Sequence, residues 1–345
     1  MTDERPQRTR RVRYKGTHPR HFAEKYKELN PETHGFEQQK VMERGHTPAG
    51  THRPICVEEI LQALAPRPGE TGLDATLGFG GHAQEILPRL QPGGRLIGID
   101  VDPLECPRTE ARLRALGFGE DTLIVRRMNF AGIAQLLPES GSGFDFILAD
   151  LGVSSMQIDN PARGFTYKAE GPLDLRLNPN RGKPASALLQ TISEIDLAAL
   201  LSENADEPHA EIIACAIRGQ SIATTTQLAN TVRQALKGLG SEADQQQEMR
   251  KALQRTFQAL RIAVNDEFTV LDQFLSLLPM CLKRAGRVAI LTFHSGEDRR
   301  VKKAFQAGHR EGLYRDIAQE PIRPSPEERR ANPRSTSAKL RWAVR

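Results

Sequence analysis

Cysteine is scarce in this chain of 345 residues: there are four, at positions 56, 106, 215 and 281. No two of them have metal-ligand spacing, so no metal is expected, and a disulfide framework is excluded at that density. A reducing, cytoplasmic compartment is the simple reading. Long apolar runs are missing too. No stretch approaches the roughly 18 uncharged apolar residues that a membrane span needs, so no membrane partner is expected. The N-terminus is rich in arginine but carries Asp3 and Glu4 and has no apolar segment behind them, which excludes a secretory signal. Aromatic residues make up only 5% of the chain, too few for the stacking platform of a single-strand binder.

What is present suits a globular protein with a substantial core. The net charge of +5 is unevenly placed. The first twenty residues carry seven Lys and Arg against two acids, and residues 299–345 carry thirteen against five, so the body between them is acidic. Basic ends on an acidic body suit either solubilising tails or an RNA whose phosphates are gripped at the periphery.

Residues 1–48 are polar and basic without apolar periodicity, and read as a flexible extension. Beyond them strands and helices alternate. Residues 58–64 form a short helix, 71–82 a strand, a Gly-rich turn and a helix start, 94–100 a strand, 104–116 a helix and 121–127 a strand. Residues 144–152 follow as a strand buried on both faces. Alternation of this kind predicts a parallel sheet with right-handed crossovers. It then stops, and residues 186–237 hold helical patterns only. A long amphipathic helix is predicted next, because Leu253, Phe257, Leu260, Val264, Phe268, Leu271 and Leu275 recur every three or four residues. Strands at 286–294 and 337–345 close the chain. The reading is an α/β domain, 49–165 with 253–345, interrupted by a helical insert at 166–252.

Asp74-Ala-Thr-Leu-Gly78-Phe-Gly80-Gly81-His82 is the strongest local signal. Glycines behind a strand let the backbone approach a ligand, and free N–H groups at the following helix start can face its polar atoms. Asp100 ends the next strand, where a carboxylate can accept from ribose hydroxyls. Gly78-x-Gly80-x-x-Ala83 also satisfies the dinucleotide pattern, so an NAD-dependent oxidoreductase is a rival. Asp74, inside the first strand, suits a cationic, amino-acid-bearing cofactor better than a pyrophosphate.

Residues 150–178 form a long loop directly after a buried strand, dense in Gly, Ser, Asp and Arg, and loops of that length in a compact domain are usually functional. With DATLGFGGH (74–82), GIDVDP (98–103), DLGVSSMQID (150–159), RGFTY (163–167), GPLDLRLNP (171–179), TFQALRIAVNDE (256–267), TFHSGEDR (292–299) and NPRSTSAKLR (332–341) in order, the sequence resembles the bacterial small-subunit ribosomal RNA cytosine-N4 methyltransferases, the RsmH/MraW family. The resemblance runs from about His52 to Arg345. It implies a Rossmann-like class I methyltransferase fold with an inserted all-helical domain, and S-adenosylmethionine as cofactor. It also implies methylation of a cytidine N4 in the decoding region of 16S rRNA, within the small ribosomal subunit. Gly80, Gly81, His82, Asp100, Phe130, Asp150 and Gln157 match the family's cofactor contacts. The sequence departs from the family pattern at Phe79, Met156, Gly296 and the run Asn204–Glu207, and it lacks the His-Pro pair ahead of TFQALRI.

The cytosine amine is a poor nucleophile, so the base must be flipped and its N4 aligned and hydrogen-bonded. Asp150, at a strand end, is the candidate nearest the transferred methyl, although a purely cofactor-binding role is equally open. Ser154 and Ser155 are candidates for positioning the base. Methylation at carbon 5 would need a cysteine nucleophile on a loop; Cys56 and Cys106 read instead as buried thiols. His294 is expected in a loop after the fifth strand, lining the substrate cleft, and Arg163, Arg176, Arg299 and Arg300 are candidate phosphate contacts. A non-catalytic RNA-binding assembly factor is the third reading, and monomer and homodimer both remain open.

Overall fold

The computed structural model describes residues 54–238 and 242–345; the basic extension expected over 1–48 lies outside them. Among the described residues one sheet has seven strands: β1 (Thr71–Asp74), β2 (Arg95–Asp100), β3 (Leu123–Arg127), β4 (Phe144–Asp150), β5 (Leu282–Thr292), β6 (Asp316–Ile317) and β7 (Lys339–Val344). Their order is β3-β2-β1-β4-β5-β7-β6. Neighbours among the first five strands are parallel, and β7 is antiparallel to both β5 and β6. This is the expected α/β, Rossmann-like architecture. Strand β6 has only two residues, too few to leave a pattern in the sequence.

Successive strand residues point to opposite faces, and the continuous apolar run of β4 covers both. Ile147 and Ala149 join Leu73, Ile97 and Val288 on one face. There they meet Phe274 and Leu278 of α11 (Glu267–Cys281) and Val301 and Phe305 of α12 (Ser295–Arg310). Phe146 and Leu148 join Leu96, Ala289 and Leu340 on the other face. Their cover is α1 (Val57–Leu64), α2 (Gly81–Ile86) and α3 (Glu105–Ala115), through Ile60, Leu64, Ile86 and Leu113. A short helix α4 (Leu137–Ser140) precedes β4, and α5 (Ser155–Asp159) follows it within the long loop.

Helices α6 (Ala185–Thr191), α7 (Glu194–Ala205), α8 (Ala210–Ile217), α9 (Thr225–Ala235) and α10 (Glu242–Asn265) gather a separate core. Leu201, Ile213, Leu228, Val232, Leu253, Phe257 and Leu260 belong to it, with Leu173 and Leu175 from the preceding loop. Leu253, Phe257 and Leu260 were expected in the methyltransferase domain. They pack with the helical group instead, because α10 runs unbroken through position 252.

The single amphipathic helix expected across 253–275 is two helices. Asp266 takes left-handed backbone angles, φ 52° and ψ 38°, and separates α10 from α11. Arg261 Nε and Nη2 donate across the break to Glu267 Oε1 and Oε2 at 2.8 and 2.9 Å. The apolar stripe continues through the break but changes partners: Leu253 to Leu260 serve the helical core, while Leu271 and Leu275 serve the sheet. A second correction concerns the loop expected after the fifth strand at His294: residues 295–298 are helical. They are the first turn of α12, which His294 caps by accepting from the Glu297 N–H.

Candidate active site

The strand order reverses between β1 and β4, so the crevice at their carboxyl ends is the topological switch point of the sheet. Asp74, Asp100 and Asp150 are the last residues of β1, β2 and β4, and the fold therefore brings three carboxylates to one edge. The turn after β1 places Gly78 at φ +48° and Gly80 at φ +69°. A Cβ on Gly80 would lie 2.9 Å from Thr109 Cγ2 and 3.1 Å from Leu113 Cδ1, so both angle and space call for glycine there. The Gly78 N–H donates to Asp100 Oδ2 at 2.8 Å, and the Asp102 N–H donates to Asp100 Oδ1 at the same distance. Burial raises the Asp100 pKa against the pull of those N–H groups.

His82 is buried, and its Nε2 lies 3.1 Å from the Ile55 carbonyl. A carbonyl only accepts, so Nε2 carries the proton and Nδ1 faces Asp150 Oδ2 at 3.5 Å. Burial lowers the pKa of His82. It pushes Asp150 up to about 7, with Glu297 adding to the effect. Asp74 is likewise pushed up to about 7 by burial, although nearby His82 pulls it back. The Asp150 backbone is fixed, since its N–H donates to Thr76 Oγ1 at 2.6 Å. Its side chain keeps 29% exposure, yet Oδ1 is closed off from solvent and has no hydrogen-bond partner among the described residues. A buried acceptor left open costs free energy unless a ligand satisfies it.

Asp102, which is only 1% exposed, organises the loop after β4. Its Oδ2 accepts from Gln157 Nε2 at 2.8 Å and Arg163 Nη1 at 2.7 Å, and its Oδ1 accepts from the Leu104 N–H at 2.9 Å. Gln157 also closes a capping box with Ser154, donating its N–H to Ser154 Oγ and accepting the Ser154 N–H at Oε1. Ser155 stands at the first position of α5 and makes no side-chain hydrogen bond among the described residues. Phe130 begins the turn after β3 and is half-buried, edge-on to Phe274 at 5.0 Å between ring centres.

The arginines divide. Arg163, read as a phosphate contact, is 8% exposed; besides Asp102 it donates to the Leu177 and Arg176 carbonyls. Arg176 grips Asp174 with Nε and Nη2 and donates to the Gly182 carbonyl. Both are therefore consumed by the loop's own structure. Arg300 bonds Asp272 and lies over the Phe268 ring at 4.2 Å. Arg299 alone of the four stays open to solvent, 57% exposed and 3.6 Å from Asp206 at the end of α7. His294 Nε2 lies 3.2 Å from Glu297 Oε1. Burial would raise the Glu297 pKa, but His294 and Arg261 leave it lowered. Cys56 and Cys106 are buried thiols, as expected. Burial raises both pKa values, that of Cys106 to about 11, so neither is a thiolate nucleophile.

Sequence reading missed Asp102, Thr76 and Glu297. Asp102 had one available signal, its place two residues after Asp100 in GIDVDP, where its N–H can close on the Asp100 carboxylate.

Residues 49–345 match the model of the MraW methylase family. The chain belongs to that family. Ribosomal RNA small subunit methyltransferase H 2 of Alkaliphilus metalliredigens is 56% identical over 350 residues, covering 100% of both chains. Methyltransferase H 1 of Lachnoclostridium phytofermentans is 51% identical over 348 residues, covering 99% of this chain and 94% of its own. Methyltransferase H of Acidobacterium capsulatum is 39% identical over 297 residues, covering 85% and 97%. A member of the MraW family is a methyltransferase. Neither the dehydrogenase nor the non-catalytic assembly factor finds support. The residues present fit S-adenosylmethionine: a turn with glycine at 78, 80 and 81, and carboxylates at the ends of three neighbouring strands, Asp74, Asp100 and Asp150. Among the described residues no helix is long and apolar enough to cross a membrane.

Proposed function

We propose that this chain methylates the N4 amine of a cytidine in the decoding region of 16S rRNA, within the small ribosomal subunit. The observation that carries the reading is the Asp150 carboxylate at the switch point of the sheet, 29% exposed and with one oxygen unpartnered among the described residues. Bound in the crevice, S-adenosylmethionine supplies an activated methyl group. Asp100 holds the ribose, Phe130 flanks the adenine, and Gly80 and Gly81 give the backbone room. His82, anchored on the Ile55 carbonyl, lies beside Asp150 and can accept from its carboxyl once that is protonated, and Gln157 braces the loop through Asp102. The Asp150 carboxylate, 29% exposed at the strand end, accepts the hydrogen bond of the target amine, which raises electron density on nitrogen, and receives the proton that the amine sheds. Ser155, whose hydroxyl is uncommitted, orients the base; Ser154 acts through the helix cap. His294 and Arg299 line the substrate side. The helical group is the inserted domain, with its far boundary at Asp266.

Incubation with unmethylated small subunits and labelled cofactor, followed by nuclease digestion, tests this. Label is expected in N4-methylcytidine. Label at carbon 5, or in another base, overturns the assignment.

A further inference from the structure

The segment before β7 is hydrogen-bonded both to Cys56, next to the Ile55 carbonyl that meets His82, and to the end of α5. Helix α13 (Pro326–Ala331) is tied to one wall, where the Cys56 N–H donates to Glu328 Oε1 at 3.0 Å. Cys56 follows Ile55, whose carbonyl receives His82. At the other wall Arg334 Nη2 donates to Asp159 Oδ1 at 2.7 Å, and Asp159 ends α5. Between and before these pins stand Arg323, Arg329 and Arg330, all exposed. Arg323 and Arg329 have no ion pair among the described residues. Arg330 has only Glu327 at 3.8 Å, both side chains more than 70% exposed, and such a pair holds a cation weakly. Three exposed cations are thus carried by a segment tied at Glu328 and Arg334 to the residues around the crevice.

We propose that Arg323, Arg329 and Arg330 form an RNA-backbone strap, holding the phosphates that flank the target nucleotide. The proposal rests on the RNA-methylation reading above. Phosphate contacts position a nucleic acid without reading its sequence, which is what a flipped base needs on either side. Each contact releases counterions, so the strap contributes to the salt dependence of binding.

The test compares two triple variants of the full chain. One is Arg323→Ala/Arg329→Ala/Arg330→Ala. The other removes the same charge elsewhere on the surface, Lys303→Ala/Arg310→Ala/Arg315→Ala; all three of these side chains are exposed. Fluorescence anisotropy on a short labelled single-stranded RNA, from roughly 50 to 200 mM salt, gives affinity and slope. The strap variant is expected to bind roughly tenfold more weakly, with a slope shallower by about 2, three contacts at roughly 0.7 each. Its KM for unmethylated small subunits rises while its affinity for S-adenosylmethionine stays that of the parent. The control variant shifts far less. Equal losses in the two variants, or an unchanged KM in the strap variant, overturn the strap and leave the methylation reading intact. A parent protein that neither binds RNA nor methylates subunits overturns that reading, and the strap with it.

Discussion

Arg163→Met is the perturbation whose outcome separates a structural arginine from an RNA-binding one. The guanidinium and Asp102 are 8% and 1% exposed and 2.7 Å apart. Removing one partner of a buried ion pair costs about 3–5 kcal/mol. Asp102 would keep the Gln157 amide and the Leu104 N–H, which places the charge loss at the low end. The Leu177 carbonyl, which accepts at 2.8 Å, loses its donor, adding about 1 kcal/mol. The expected destabilisation is therefore about 4 kcal/mol. Urea unfolding followed by circular dichroism would show it as a lowered midpoint at unchanged slope. Pairing the change with Asp102→Asn removes the stranded charge, so the double variant should recover about 2 kcal/mol relative to additivity. If Arg163→Met unfolds within about 0.5 kcal/mol of the parent and instead weakens RNA binding, the buried-pair argument is wrong.

Four further outcomes follow from the crevice. Methyl transfer should fall as pH drops through about 7, where Asp150 takes up a proton, and Asp150→Asn should abolish most activity and flatten what remains of the profile. Because the folded-state pKa lies above the ordinary 3.8, the stabilising share of Asp150 is full at low pH and is lost as pH rises toward 7; Asp150→Asn should thus exceed the parent in stability at pH 8 and converge with it near pH 4. Ser154→Ala should cost about 1 kcal/mol through the lost helix cap, whereas Ser155→Ala should leave the melting temperature alone and lower kcat/KM. Asp100→Ala should weaken S-adenosylmethionine roughly 10- to 100-fold by calorimetry, the equivalent of one or two charge-assisted hydrogen bonds.

The sheet was legible because its strands carry buried residues on both faces, which leaves continuous apolar runs such as 146–149. Asp100 and Asp150 followed from those runs as strand-end carboxylates, whereas Asp74 was expected inside its strand and proves to end it. The identity of the partners did not follow. Gln157 and Arg163 lie 55 and 61 residues from Asp102, and nothing local in their surroundings distinguishes a guanidinium aimed at a buried acid from one aimed at a phosphate. The break at Asp266 was hidden for a different reason. Periodicity reports that one face is apolar, not which core it meets, so a stripe shared between two cores reads as one helix. Helix α12 was missed at its start because its cap is His294, which is not among the usual capping residues.

That shared stripe constrains how the chain can change. Each residue turns an α-helix by about 100°, so inserting or deleting one residue at the Asp266 corner would rotate the apolar side of α11 away from the sheet while α10 stayed seated. Length variation in this protein is therefore barred from the corner and confined to the surface connections of the helical group, and two separately built cores must keep their spacing fixed to a single residue.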